Sequence, residues 1–405
     1  MLDVLKETLL KLPQLQHFHY VEELGPILQI DDALMSVLFG AKRLHHLALG
    51  RFTIHNDLYL SRVLPPDCTW ALSTINLAEH RLGVDNFQMK TFLRDLLTSA
   101  RQTVRAITLD VEELEVPSIT DARPKNPMFP CLEHVVVKNA RMSTNTASTL
   151  YSSPKLRSLA LSPHDDNFQD DSFHLNFSTS ATCLNIFNWG ATRASKSRAR
   201  LDGFIKKNPR ITHVNVRPVP GSRITDTVVQ DMILAPLAHY NEACVSLSVS
   251  AGPGLASAVA FLHLSDMPKL QQVRLEVQSQ TPPPVRILHS DVMKQLQSLA
   301  HLRCLIIDGH VESRLAPDVW QDQTLDRSQE DDHLATIKDD LLAVAAAYAI
   351  NFPKLQVLGV EKCWFEIDRS SGVSTIAKAV FEPAIAEKAP YALKASFRVD
   401  EHMKV

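Results

Sequence analysis

An α/β solenoid, in which short parallel strands alternate with helices, is the fold class this sequence predicts, and three observations predict it. An apolar phrase of the form L-x-x-L-x-L, with any apolar residue at the L positions, recurs twelve times along 405 residues. Segments whose apolar residues fall three and four apart lie between the phrases. Several phrases also open alike, as in SSPKLRSLALS from Ser152, MPKLQQVRLEV from Met267 and FPKLQVLGVEK from Phe352. Proline cannot continue a helix, so Pro154, Pro268 and Pro353 each stop one and turn the chain into the next strand.

The phrases begin at Leu15, Leu44, Leu72, Val104, Leu132, Leu156, Leu184, Ile211, Cys244, Leu270, Leu302 and Leu355. Their separations are 29, 28, 32, 28, 24, 28, 27, 33, 26, 32 and 53 residues, a steady period with one doubled step. That step implies a degenerate repeat or an insertion between Asp308 and Lys354. Helical periodicity runs over Ile27 to Lys42, Asn86 to Gln102, Leu201 to Lys207, Ile224 to Tyr240, Asp291 to Leu302 and Leu334 to Ile350. In the second of these, Phe87, Phe92, Leu93, Leu96 and Leu97 form one apolar stripe. Strand then helix, repeated, gives a parallel sheet in which each unit contacts mainly its neighbours. The expectation is one domain over residues 1–405, with strands lining a concave face and helices a convex one. Arg314 to Asp332, RLAPDVWQDQTLDRSQEDD, is acidic and polar without apolar periodicity and reads as a mobile insertion loop.

The period and phrases such as PKLRSLALS, CLEHVVVKNA and LQVLGVEKC make the chain similar to the leucine-rich-repeat horseshoe of F-box/leucine-rich-repeat proteins, including divergent fungal versions. The likeness covers roughly Leu15 to Val360. It implies a protein-binding module, with substrate recognition for a ubiquitin ligase as the family's role. Two features depart from the pattern. The Asn or Cys expected three residues past the end of the phrase is found only at Cys363, so other hydrogen bonds must hold the repeat turns. No F-box is visible ahead of the first repeat at Leu15. The other class of function is an enzyme regulator similar to GTPase-activating leucine-rich-repeat proteins, which would call for an arginine at a strand-to-helix loop.

Charge and cysteine usage narrow the classes further. Lys and Arg total 42 against 45 Asp and Glu, so no overall field favours nucleic acid or anionic lipid. The six cysteines are scattered without a CxxC pair, which suits a reducing, cytoplasmic or nuclear setting better than a disulfide framework or zinc module. The longest apolar run, Leu341 to Ile350, is half of what a bilayer requires, and the N-terminus lacks the build of a secretory signal. The motifs GxSxG, HExxH, GxxxxGK[ST] and GxGxxG are missing, AGPGLAS (Ala251 to Ser257) and Asp308 to His310 read as turns, and the expectation is a protein without catalytic activity or cofactor. Cys131, Cys183, Cys244 and Cys304 read as small core fillers. One basic neighbourhood, Arg193 to Arg217, lacks interleaved aromatics and reads as a solvated edge.

Alternation of side chains along a strand turns the alignment into a surface. The L positions point inward, and the residues between and after them face outward. His17, His19, His46, His134 and His213 fall on that face. A metal site at His17, His19 and His46 is geometrically conceivable, but no carboxylate or thiol nearby in sequence completes a ligand set, so they read as solvated or partner-contacting. Charge gathers toward the C-terminal strands, and the expected partner-binding residues are Arg217, Arg274, Glu276, Asp308 and Glu361.

Overall fold

The computed structural model describes residues 2–12, 14–20, 27–55, 70–79, 86–111, 113–114, 128–138, 141–142, 144–161, 178–189, 203–218, 234–240, 242–250, 264–276, 287–308, 311–312, 327–360, 363–372 and 374–380. The chain divides into two compact units, 1–187 and 188–404. Each is an array of strand and helix repeats of the leucine-rich kind.

In the first unit the strands are β1 (His17–Tyr20), β2 (Leu28–Ile30), β3 (His46–Ile54), β4 (Thr74–Glu79), β5 (Ala106–Asp110), β6 (Glu113–Leu114), β7 (His134–Lys138), β8 (Arg141–Met142), β9 (Ser158–Leu161) and β10 (Cys183–Trp189). The main sheet runs β1-β3-β4-β5-β7-β9-β10 in chain order, while β2 pairs with β3, and β6 with β8. The strands pair in parallel and in repeat register, with Phe18 opposite Leu47, Leu47 opposite Ile75, Ile75 opposite Ile107, Ile107 opposite Val135 and Val135 opposite Leu159. These are the second L positions, and all are buried. Helices Leu2–Leu10, Asp32–Gly40, Asn86–Ala100 and Thr144–Tyr151 connect the strands. Asp31 caps the second of them, accepting from the Leu34 N–H, and Lys6 of the first helix closes a 2.7 Å ion pair onto the same carboxylate.

The second unit contains β11 (His213–Pro218), β12 (Ser246–Ser250), β13 (Gln272–Glu276), β14 (Ile287–Leu288), β15 (Cys304–Asp308), β16 (Val311–Glu312), β17 (Val357–Val360), β18 (Cys363–Asp368) and β19 (Thr375–Val380). The order β11-β12-β13-β15-β17 is parallel, and β18 and β19 then close it as an antiparallel hairpin. Helices Ala235–Tyr240, His289–Leu296 and Arg327–Asn351 join these strands.

Two sets of hydrogen bonds stitch repeat to repeat. At the start of a strand, two successive N–H groups donate to a single carbonyl of the repeat before: His45 and His46 to Gln16, Ser73 and Thr74 to His45, Arg105 and Ala106 to Ser73, Glu133 and His134 to Arg105, all at 2.8–3.1 Å. The same fork recurs in the second unit, from Val245 and Ser246 on Thr212 to Gln356 and Val357 on Arg303. Hydroxyl groups supply the other set. Thr103 donates toward the Trp70 and Leu72 carbonyls, Ser153 toward Phe129 and Leu132, and Ser180 toward Ser153 and Leu156. Each hydroxyl reaches the first L of the preceding repeat and a carbonyl two or three residues ahead of it. In the last repeat the matching carbonyls, Phe352 and Leu355, accept instead from Arg369.

Several expectations are corrected. The seventh repeat starts at Ala181, three residues earlier than Leu184, because Leu184 stands opposite Leu159 and Ile186 opposite Leu161. Ile186 is therefore an inward position and Asn185 an outward one. Helix was expected from Ile27, yet Leu28 and Ile30 are buried around an exposed Gln29, and this period of two makes β2. The helix expected from Leu334 begins at Arg327, so residues 327–332 of the expected loop are helical; 314–326 lie outside the described residues. The other connecting helices run over Ala235–Tyr240 and His289–Leu296, and 224–233 likewise lie outside. Helices Leu2–Leu10 and Thr144–Tyr151 and the closing hairpin were not expected at all.

The second unit carries a buried base. His289 Nδ1 lies 3.1 Å from the Tyr348 hydroxyl, and burial pulls its pKa down from 6.5 to about 4. The unfolded chain thus takes up this proton near 6.5 while the folded chain refuses it until about 4, so stability present above 6.5 is lost as pH falls through that window. Acidifying from neutral to pH 5.5 is expected to remove about 1 kcal/mol through this group. Urea midpoints at the two pH values check it: the drop should shrink by that amount in His289→Gln, and an equal drop in both proteins would show that His289 is not the group.

Candidate functional site on the outward sheet face

Between the buried L positions, each strand sends two side chains to the opposite face. In the first unit these are His17 and His19 on β1, His46 and Ala48 on β3, Thr74 and Asn76 on β4, and Ala106 and Thr108 on β5. His17 and His19 are exposed around a buried Phe18. Register sets His17 opposite His46 and His19 opposite Ala48, whose methyl leaves room for rings on either side. The three imidazoles meet: His19 and His46 stack at 4.3 Å, His17 lies 5.6 Å from His46 and 6.3 Å from His19. One ring nitrogen from each can be chosen so that all three lie within 4.8 Å of one another. Partial burial, and then the neighbouring His19 and His17, lower the His46 pKa below its ordinary 6.5.

In the second unit the outward face is polar over three successive strands. His213 and Asn215 of β11 stand opposite Ser246 and Ser248 of β12, which stand opposite Gln272 and Arg274 of β13. Asn215, Ser246 and Ser248 are buried, while Gln272 and Arg274 are half-buried. Asn215 Oδ1 and Gln272 Oε1 have no hydrogen-bond partner among the described residues. Further along, the face turns apolar. Cys304, Ile306 and Val357 are buried together with Trp364 packed against them. Gly359 makes this possible: a Cβ there would come within 3.2 Å of Ile306 and 3.5 Å of the Trp364 ring.

Register brings part of the expected charged set together. Glu276 stands directly opposite Asp308, and Arg274 sits two residues back on β13 beside Ile306. Arg217 is one residue past Val216, which pairs with Val249, so continuing the register sets it beside Ser250 and one strand from Glu276. The side chains of Arg217, Glu276 and Asp308 and the whole of Glu361 lie outside the described residues. The same holds for 190–202 of the basic neighbourhood, where Lys206 is described with its Nζ 5.5 Å over the Tyr240 ring, and for AGPGLAS and residues 309–310.

Burial pushes the Cys183 thiol up to about 11, and those of Cys244 and Cys304 to about 12, with Arg274 opposing weakly at Cys304. All three are protonated at neutral pH; Cys244 and Cys304 are buried, whereas Cys131 and Cys183 are only partly buried and do not fill the core as expected. Among the described residues no helix is long and apolar enough to cross a membrane. Sequence reasoning missed Trp364 and the orphan acceptors of Asn215 and Gln272. The alternation rule places Asn215 and Gln272 outward, but only the fold shows their hydrogen bonds unmade.

No family model and no curated protein matches the chain. Among solved structures it is similar to the crystal structure of an internalin from Listeria monocytogenes, with a TM-score of 0.33 and 14% identity over 77% of this chain and 84% of that one.

Proposed function

We propose that the protein is a non-enzymatic interaction module that holds a protein partner on the outward face of β11, β12, β13 and β15. One observation carries this reading: six polar side chains, His213, Asn215, Ser246, Ser248, Gln272 and Arg274, are set in register on three adjacent strands, and the acceptors of Asn215 and Gln272 are not used by any described residue. A repeat sheet presents just such an extended row to a partner. Arg274 puts a charge on this face, and strand register sets Glu276 opposite Asp308 at the end of the same strands; charges at a binding face contribute specificity and association rate. A role in recognising substrates for a ubiquitin ligase rests on the sequence resemblance alone.

The test is affinity capture of partners with the full chain, followed by Arg274→Glu and Asp308→Lys made singly. With melting temperature unchanged, each variant is expected to hold the captured partner about tenfold less tightly, or roughly 1.4 kcal/mol. Wild-type retention in both would remove this face from the binding role. A Skp1-type adaptor among the captured proteins would support the ligase role, whereas a small GTPase would move the reading to an enzyme regulator.

A further inference from the structure

The three clustered imidazoles of the first unit are unrelated to the polar row on β11–β13, and their geometry points to a divalent transition-metal site: His17, His19 and His46 together form a three-nitrogen site for Zn²⁺ whose fourth position opens to solvent. The strand makes the first half of it. A His-x-His pair on a β-strand puts both rings on one face, and the buried Phe18 between them anchors that orientation. The parallel register makes the second half by setting His46 opposite His17. Nitrogens from all three rings already lie within 4.8 Å of one another. A metal bound at about 2.1 Å to each in tetrahedral geometry wants them about 3.4 Å apart. Rotation about the side-chain torsions of two exposed rings closes that difference without moving the backbone.

The donor set selects the metal class. Three neutral imidazoles without a carboxylate or thiolate suit Zn²⁺, Ni²⁺ and Cu²⁺ and discriminate against Mg²⁺ and Ca²⁺. On the next strand the facing residues are Thr74 and Asn76, which stand opposite His46 and Ala48 and are weak ligands for Zn²⁺. Three protein ligands plus one exchangeable position is the arrangement of an open zinc site rather than a closed structural one. The fourth ligand is then water or a donor brought by another molecule.

Zn²⁺ chloride is the probe, titrated calorimetrically into the full chain free of any polyhistidine tag and stripped with chelator. The expected result is one equivalent bound at micromolar affinity or tighter, with a rise in melting temperature as binding to the folded state requires. Co²⁺ in place of Zn²⁺ should give the visible absorption of a four-coordinate ion. His17→Gln at an exposed position and His46→Gln at a half-buried one, both on the outward face away from the buried L positions, should each weaken binding by about tenfold or more, at least the loss that removing an outer partner of a metal site brings. Binding of several weak equivalents that survives both substitutions, or no heat at all, would overturn the site. Circular dichroism of the variants separates loss of ligand from loss of fold.

Discussion

Leu159→Ala is expected to lower the stability of the first unit by about 2 to 5 kcal/mol, the range for emptying a leucine-sized hole in a packed interior. Leu159 is 0% exposed and stands in the middle of a continuous apolar row, opposite Val135 on one side and Leu184 on the other. The neighbouring strands are held by their own ladders, so they cannot collapse into the space. The urea midpoint should fall with its slope unchanged. Ser158→Ala, one residue away on the outward face, should stay within about 0.5 kcal/mol of wild type. A Leu159→Ala protein that melts like its parent would mean that the repeat register is wrong.

Arg369→Ala is the second large loss, expected at about 2 to 4 kcal/mol because the charged donors to three carbonyls and a hydroxyl are removed together. Its Nη2 donates to the Ala349 and Phe352 carbonyls, both at 2.8 Å, and to Leu355 at 3.4 Å, while Nη1 donates to Ser374 Oγ. In three earlier repeats a hydroxyl from the next repeat, that of Thr103, Ser153 or Ser180, does this work. Lysine carries the same charge as a single ammonium and cannot spread over that set, so Arg369→Lys should recover less than half of the loss. Hydrogen exchange should rise first in the amides around 349–368. Full protection there in Arg369→Ala would show that the guanidinium is not what closes the array.

The strand phrases were legible because burial repeats with them: eleven of the twelve stand in the expected register within their unit. The seventh misled because Ala181 fills its first L position and Phe187 and Trp189 imitate the later ones. Alanine is buried there, but its small side chain gives no apolar signal. The hydroxyl clips were illegible for a different reason. Thr103 and Ser180 come one residue ahead of the phrase and Ser153 three, so no fixed offset marks them. Of the site, alternation and the repeat alignment placed His17, His19 and His46 on one face, but how closely the three rings meet depends on strand register. Charge position was readable and charge company was not, since nothing before the fold sets Glu276 against Asp308.

The forked hydrogen bonds at the strand starts impose a rule on proline. Both residues after the first L must supply an N–H, because one carbonyl of the repeat before is shared between them. A proline at either place would leave that fork with one tine. The chain has 23 prolines and none stands at these two places in any of the twelve phrases, counting the seventh from Ala181. Two residues ahead of the first L, where no such donor is asked for, proline is frequent: Pro13, Pro130, Pro154, Pro209, Pro268 and Pro353 all sit there. Substituting proline along one phrase would therefore trace the fork residue by residue, tolerated at the lead position and disruptive two steps later.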